Sequence, residues 1–421
     1  MSVRVVTGRW EQLGADAGAV RTEVFVKEQG IAAELEWDSW DPRSLHCVAY
    51  LEQVPIATGR LLPDGHIGRM AVLAAHRRDG IGGQILTHLV NAARARGDLR
   101  LELSAQSYVA SFYERHGFMA EGSPYDEVGI PHQKMARQLR EPSPIEASEQ
   151  HRQMPDGTRL LQRDWRPSGD LRGAVYLLHG HGEHSGRHEA LARWLATRGW
   201  WVRSHDHVGH GRSSGARGVI QRDSQMLEHA RLQLSAFTDA CGSSPILFGQ
   251  SMGGTLAAEL ALDPYTRLRG LILSAPALGF RLRLWQRSLS AVMGRIAPAV
   301  AVASGLDPAA LSHNPQVVAD YRSDPLVHSK ICARLARWMF ASAERSIQDA
   351  QRLRIAALLL VPQADRIVDP QGAFRFAEQA SSALVTLRRY PDLHHEPFNE
   401  RDEDKACVYA DLSGWLEQIS H

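Results

Sequence analysis

A serine flanked by glycines, Phe248-Gly249-Gln250-Ser251-Met252-Gly253-Gly254, lies between an apolar run and a helix-forming stretch, Thr255 to Leu262. The G-x-S-x-G spacing places a hydroxyl on a tight turn at a helix N-terminus, where the helix dipole favours developing negative charge. Such a serine becomes a nucleophile when a base takes its proton and an acid orients the base. Two later strand-like runs supply candidates. Leu358 to Val361 leads into Asp365, placed just beyond the run where an orienting acid belongs, and then Asp369, which also fits a helix N-cap before Pro370. The run ending at Tyr390 leads into His394 and His395, and spacing alone allows either as the base. An oxyanion hole needs two backbone N–H donors. Met252, directly after the serine, offers one, and His181, in the loop His179-Gly180-His181-Gly182-Glu183-His184-Ser185-Gly186-Arg187-His188, offers the other. A metal cluster of His179, His181, His184 and His188 is the competing reading of that loop; no metal is expected.

A second constellation lies near the N-terminus. Met70 to Leu73 runs through His76-Arg77-Arg78-Asp79-Gly80-Ile81-Gly82-Gly83-Gln84 into a helix. Glycines at a helix start let several N–H groups converge on phosphate. A dinucleotide fingerprint would need glycine where Ile85 stands, which disfavours that alternative. Glu28, Glu34, Glu36 and Asp38 form an acidic run that could hold an ammonium group or act as a base through water, or be a solvated loop.

These groups need two frameworks. In the first third, strands are expected at 3–7, 46–52, 55–62, 67–73 and 99–104, with helices at 14–29 and 80–96. In the remainder, short apolar runs at 174–178, 200–204, 245–248, 270–274, 356–361 and 383–390, mostly followed by helical stretches, describe a doubly wound parallel sheet. A largely helical insertion of about 278–352 interrupts it as a cap. The expected organisation is a domain at 1–140, a Pro-containing surface linker at 141–155, and a second domain at 156–421.

The composition excludes other classes. The 421 residues are 44% hydrophobic and 23% charged, with net charge +1, which gives no electrostatic case for a nucleic-acid partner. The four cysteines, Cys47, Cys241, Cys332 and Cys407, are scattered, fitting a reducing compartment and neither a disulfide framework nor a zinc site. With no signal-peptide pattern and no uninterrupted apolar span, a cytoplasmic protein is expected.

Residues 156 to 420 resemble the monoacylglycerol lipase and lysophospholipase group of α/β-hydrolases. The likeness rests on Asp156-Gly157-Thr158 with Trp165, the loop 179–187, Asp206-His207-x-Gly209-His210-Gly211-x-Ser213, the serine turn, Ser274-Ala275-Pro276-Ala277, Gly305-Leu306-Asp307, Tyr321-x-x-Asp324-Pro325-Leu326-Val327-His328, and His395-Glu396-Pro397-x-Asn399-Glu400. It selects His395 as the base and implies hydrolysis of a small-molecule or lipid carboxylic ester through an acyl-serine. The serine domain could also serve a peptidase, thioesterase or transacylase. His181 departs from the group, which usually has a small residue there; its side chain would narrow or polarise the acyl pocket. The cap start, Phe280 to Arg287, and Ile296 to Ala303 suit peripheral contact with a membrane surface, or packing over the sheet. Residues 1 to 138 resemble the ElaA-like GNAT acetyltransferases, through 70–84, Ala110-x-Phe112-Tyr113-Glu114-Arg115-His116-Gly117-Phe118, Val24 to Gln29, Ala105-Gln106 and Gly129 to His132. This implies a mixed α+β domain using acetyl-CoA, with Val72, Arg77, Arg78, Gly80, Ile81, Gly82 and Gly83 on the cofactor and Tyr113 protonating the departing thiolate. Tyr113 could instead simply pack on the sheet. The acceptor amine is not identified, and a CoA-binding module without turnover is the alternative.

Overall fold

In the computed structural model the described residues are 3–127, 129–280 and 297–420. The chain divides into two compact units, Met1–Glu141 with Tyr409–Gln418, and Pro142–Val408 with Ile419–His421.

The first unit has two antiparallel sheets. Strands β1 (Val3–Arg9), β2 (Leu45–Leu51), β3 (Val54–Leu61) and β4 (Ile67–Val72) pair in sequence order. Strands β5 (Arg100–Gln106), β6 (Met119–Glu127) and β7 (Ile130–Gln138) pair in the order β5-β7-β6. Between the sheets, β4 and β5 form no ladder; a single bridge joins His66 to Glu102. The helix Ile81–Arg96 lays its buried stripe, Ile81, Ile85, Leu86, Leu89, Val90 and Ala93, into this core, as its 3.6-residue period requires. The stretch expected as one helix over 14–29 is α-helical from Trp10 to Arg21 and then π-helical over Thr22–Glu28.

The second unit is built on an eight-stranded sheet. Its strands are β8 (Ile145–Gln153), β9 (Arg159–Pro167), β10 (Gly173–Leu178), β11 (Trp200–His205), β12 (Ile246–Gln250), β13 (Gly270–Ser274), and, beyond the cap, β16 (Ala356–Pro362) and β17 (Val385–Tyr390). The spatial order is β17-β16-β13-β12-β10-β11-β9-β8, parallel except at β9 and β8. The central strands β10, β12 and β13 are buried almost throughout, because crossover helices cover both faces; this is why they read as continuous apolar runs. The expected linker at 141–155 is corrected here: its residues 145–153 form β8, the sheet's edge strand, paired with β9 along its whole length. Both faces of β8 are exposed, so Glu-Ala-Ser-Glu-Gln-His-Arg-Gln shows no apolar alternation to mark it as a strand.

The described part of the cap is less uniformly helical than expected. It holds the helices Pro315–Ser323 and Ala333–Gln348 and a two-stranded ladder of β14 (Ala301–Ala303) with β15 (Lys330–Cys332). Two backbone bonds, His328 N–H to Gly182 O at 2.9 Å and Cys332 N–H to Gly218 O at 2.9 Å, seat the 328–332 segment on loops of the sheet layer. Of the two expected membrane-facing stretches, 281–287 and 296 lie outside the described residues, whereas 297–303 are described and end in β14. No helix among the described residues is long and apolar enough to cross a membrane.

Candidate active site

Strand β12 ends at Gln250 and the helix Met252–Ala261 begins two residues later, so Ser251 must turn the chain alone. It does so at φ 53° and ψ −119°, a conformation costly for a residue with a side chain. The turn closes only because its neighbours are glycines. A Cβ on Gly253 would overlap the carbonyl oxygens of Leu178 and His179, and one on Gly249 would overlap the backbone of Gly253 and Gly254. Met252 is the first helical residue, so its N–H has no partner within the helix.

Asp365 and His395, thirty residues apart, meet at the C-terminal ends of β16 and β17, with His395 Nδ1 2.7 Å from Asp365 Oδ2. The N–H groups of Ile367 and Val368 donate to Asp365 Oδ1 at 2.8 and 3.1 Å, fixing the carboxylate. Gln250, next to the serine, donates to the His395 carbonyl at 2.9 Å. Burial pulls the His395 imidazole down, but the Asp365 charge and hydrogen bond more than reverse this, leaving it raised. Asp369 takes the capping role: its Oδ1 accepts from Gln371 N–H at the start of the next helix. His394, the other histidine that spacing allowed as the base, is engaged away from Asp365. Its N–H donates to the buried Glu400 carboxylate at 2.8 Å, and its ring stacks on His313 with centroids 3.6 Å apart.

The loop after β10 is rigidly held. His179 Nε2 accepts from His207 N–H at 2.9 Å, so its proton sits on Nδ1, which donates to Gly180 O at 2.8 Å. Gly180 N–H donates to Glu183 at 2.6 Å. These bonds fix the peptides flanking the His181 amide. The metal reading of this loop finds no support: His184 is engaged by Asp324 at 2.8 Å, and His188 by Glu183 at 3.1 Å. Sequence reasoning assigned no role to Glu183, Arg187, Tyr321 or Glu396. Burial would push Glu183 up, yet His188 and Arg187 hold it low. Arg187 bridges onward to Glu396 at 2.7 Å and lies over the Tyr321 ring, tying this loop to the segment bearing His395. Motif membership was the available signal; the pairing itself is tertiary.

Ser251, His181 and His395 line one cavity of about 470 Å³. Phe280, Leu311, Ile331, Met339, Phe340 and Val368 give it an apolar wall, while Glu183, Tyr321 and Glu396 add polar groups.

In the first unit, Gly80 caps the helix Ile81–Arg96 in the left-handed region at φ 77°, after Arg78 at φ 72°. Gly82 and Gly83 leave room for Phe112 and Val72 and for His116: a Cβ on Gly83 would stand 3.0 Å from His116 Nε2. Arg77, expected to meet a pyrophosphate, instead forms a two-pronged ion pair with Glu28, both bonds 2.6 Å and exposed. Of the other acidic candidates, Glu36 is bonded to Arg21 at 2.6 Å and Asp38 to Arg60 at 2.7 Å, so both belong to an arginine network; Glu34 is exposed. Tyr113 is buried against Phe112 and Phe118, and burial pushes its hydroxyl up to about 12.

Comparison with known proteins places both units. The serine aminopeptidase S33 model matches residues 169–402. The chain belongs to that family of α/β-hydrolases. The acetyltransferase (GNAT) domain model matches residues 13–139, so the chain joins a GNAT domain to the hydrolase. The S33 unit is similar to the monoacylglycerol lipase of Mycolicibacterium smegmatis, 32% identical over 269 residues, covering 63% of this chain and 94% of the relative. The crystal structure of the Paleococcus ferrophilus monoacylglycerol lipase is 33% identical at a TM-score of 0.57, covering 62% of this chain and 99% of that one. The GNAT unit is similar to the uncharacterized N-acetyltransferase YjcF of Bacillus subtilis, 37% identical over 139 residues, covering 32% of this chain and 99% of the relative.

Proposed function

We propose that the S33 unit hydrolyses carboxylic esters of the monoacylglycerol or lysophospholipid type, and that the GNAT unit transfers acetyl from acetyl-CoA to an amine. The observation that carries the first reading is the serine turn and the Asp365–His395 pair opening on one cavity with an apolar wall and polar groups. Ser251 attacks the ester carbonyl as His395 takes its proton, and the amides of Met252 and His181 receive the oxyanion. His395 then returns the proton to the leaving alcohol, and water repeats the sequence to free the acid. The apolar wall suits an acyl chain, and relatives named as monoacylglycerol lipases support that substrate class. Release of fatty acid from monoacylglycerols and lysophospholipids of graded chain length is the test. Turnover of neither, at any length, would overturn the reading.

Asp365→Asn is expected to lower kcat by roughly 10⁴-fold and to move the acid limb of the pH–rate profile to lower pH. The base must be neutral to accept the serine proton, and without the Asp365 carboxylate burial pulls His395 down against only the weaker pull of Glu396 and Glu183. An acid limb that stays in place would show that Asp365 does not tune this histidine.

In the GNAT unit the residues fit a CoA pyrophosphate. Gly80 sits at positive φ with open space where a Cβ would be, at the start of a long helix beside Arg77 and Arg78. Glu28 would release Arg77 to the phosphates. Acetyl-CoA supplies the acyl group, and Tyr113, kept protonated by burial, donates to the departing thiolate. Tyr113→Phe is therefore expected to lower acetyl transfer to an amine panel by about 100-fold while CoA affinity is retained. Equal rates in both proteins would favour a CoA-binding module without turnover.

A further inference from the structure

The wall of the catalytic cavity contains a histidine side chain that the triad and the oxyanion turn do not use. His181 lines the cavity beside Gly180 and Ser251, and both its ring nitrogens are shut off from solvent without a hydrogen-bond partner. A buried imidazole is costly to leave unpaired, so such a group calls for a ligand.

The surrounding rings define what that ligand must be. His210 and His328 stand edge-on to His181, each with centroids 5.6 Å away, and lie 4.7 Å from one another. His210 Nδ1 faces the Val208 carbonyl at 3.0 Å and so carries the hydrogen; its Nε2 is a bare lone pair, also buried and unpartnered. His328 Nδ1 accepts from Lys330 N–H at 3.2 Å, which places its hydrogen on Nε2. Burial pulls the three imidazoles down, His181 to about 3 and His328 to about 4, so each is neutral near pH 7. A neutral set has no charge to attract a carboxylate or phosphate. The three rings also do not gather into a metal-binding group. What remains is one N–H donor and one lone pair on His181, with the His210 lone pair and the His328 Nε2–H, also buried and unpartnered, behind it. A hydroxyl, which must both accept and donate, is the matching ligand.

We propose that His181, backed by His210, forms a subsite for a neutral hydroxyl adjoining the scissile ester. This rests on the ester-hydrolase reading and deepens it. The hydroxyl could belong to the alcohol side, as in a glycerol headgroup, or to the acyl side, as in a hydroxyacyl chain.

Two substrate pairs distinguish these sources in the full-length protein. The first pair is a monoacylglycerol and the methyl ester of the same fatty acid. The second is a p-nitrophenyl 3-hydroxyacyl ester and its unsubstituted counterpart. The wild type is expected to show higher kcat/KM for the hydroxylated member of one pair, and that pair names the source. His181→Leu is expected to shrink that preference about 10-fold, the effect of one hydrogen bond. His181→Gln, which keeps a donor and an acceptor, should restore part of it, and His210→Phe should weaken it in the same pair. Ratios within a pair cancel any loss common to both substrates, so reduced stability of a variant does not imitate the result. No preference in either pair, or a preference that both His181→Leu and His210→Phe leave at the wild-type value, overturns the subsite. A wild type that hydrolyses no member of either pair overturns the ester-hydrolase reading, and the subsite with it.

Discussion

Ser251→Ala is expected to lower ester hydrolysis by about 10⁵- to 10⁶-fold, the loss found when the nucleophile of a serine triad is removed. The size follows from how the site is built. The strained turn, the Asp365–His395 pair and the held loop after β10 all serve one oxygen atom, and none provides a substitute nucleophile. The residual rate would come from the oxyanion donors and substrate binding alone. Removing His395 as well should then cost little more, because residues acting as a unit are not additive. The measurement is kcat for a p-nitrophenyl ester in Ser251→Ala, His395→Ala and the double variant. Substantial turnover surviving in Ser251→Ala would mean that another group performs the chemistry.

The second large effect is acid lability of the S33 unit. His179, His181, His205, His207, His210 and His328 are all pulled down by burial, several far below the ordinary histidine range. For His179, His205 and His207 the hydrogen bonds add to the penalty of burial. Tyr176 donates its hydroxyl to His205 Nδ1 at 2.7 Å, His205 Nε2–H faces His207 Nδ1 at 3.2 Å, and His207 Nε2–H donates to His179 O at 3.1 Å. Protonating His207 Nδ1, or His179 Nε2, which faces the His207 N–H, would point two hydrogens at each other.

Once unfolded, each histidine would titrate near 6.5. Between that value and the depressed folded values the unfolded chain binds more protons, so stability rises with pH across the window. Above about pH 6.5 no penalty remains. As pH falls below that value each group removes stability, by at most about 1.4 kcal/mol per pH unit, which for several groups is large beside the ~5–15 kcal/mol stability of a domain. His395, raised in the fold, works in the opposite direction, but it is one group against many. Urea unfolding at pH 7.5 and 5.5 tests this: the midpoint should drop steeply at the lower pH. An unmoved midpoint would mean that the relay accepts protons without loss.

Local signals made much of this protein legible in its sequence. The serine turn was readable because its constraints lie within a few residues: apolar strand, glycines, helix. The central strands were readable because burial on both faces leaves continuous apolar runs, and Asp365 because strand ends carry the functional groups of such a sheet. The edge strand β8 left no such trace, since solvent on both faces removes the apolar alternation that marks a strand.

Other features depended on groups meeting across long stretches of chain. Arg77 reads as a phosphate ligand and Glu28 as an acceptor-site acid, yet 49 residues apart they pair with each other. Arg187 reaches Glu396 across 209 residues. His394 and His395 are neighbours with equal claims by spacing, but Asp365 receives one while Glu400 and His313 receive the other. The sequence by itself determined which residue types sit at strand ends and turns, because backbone geometry there depends on near neighbours. Only the tertiary structure decided which charges and ring nitrogens are paired and which, like those of His181, are left unpaired, because pairing depends on what packing brings within about 3 Å.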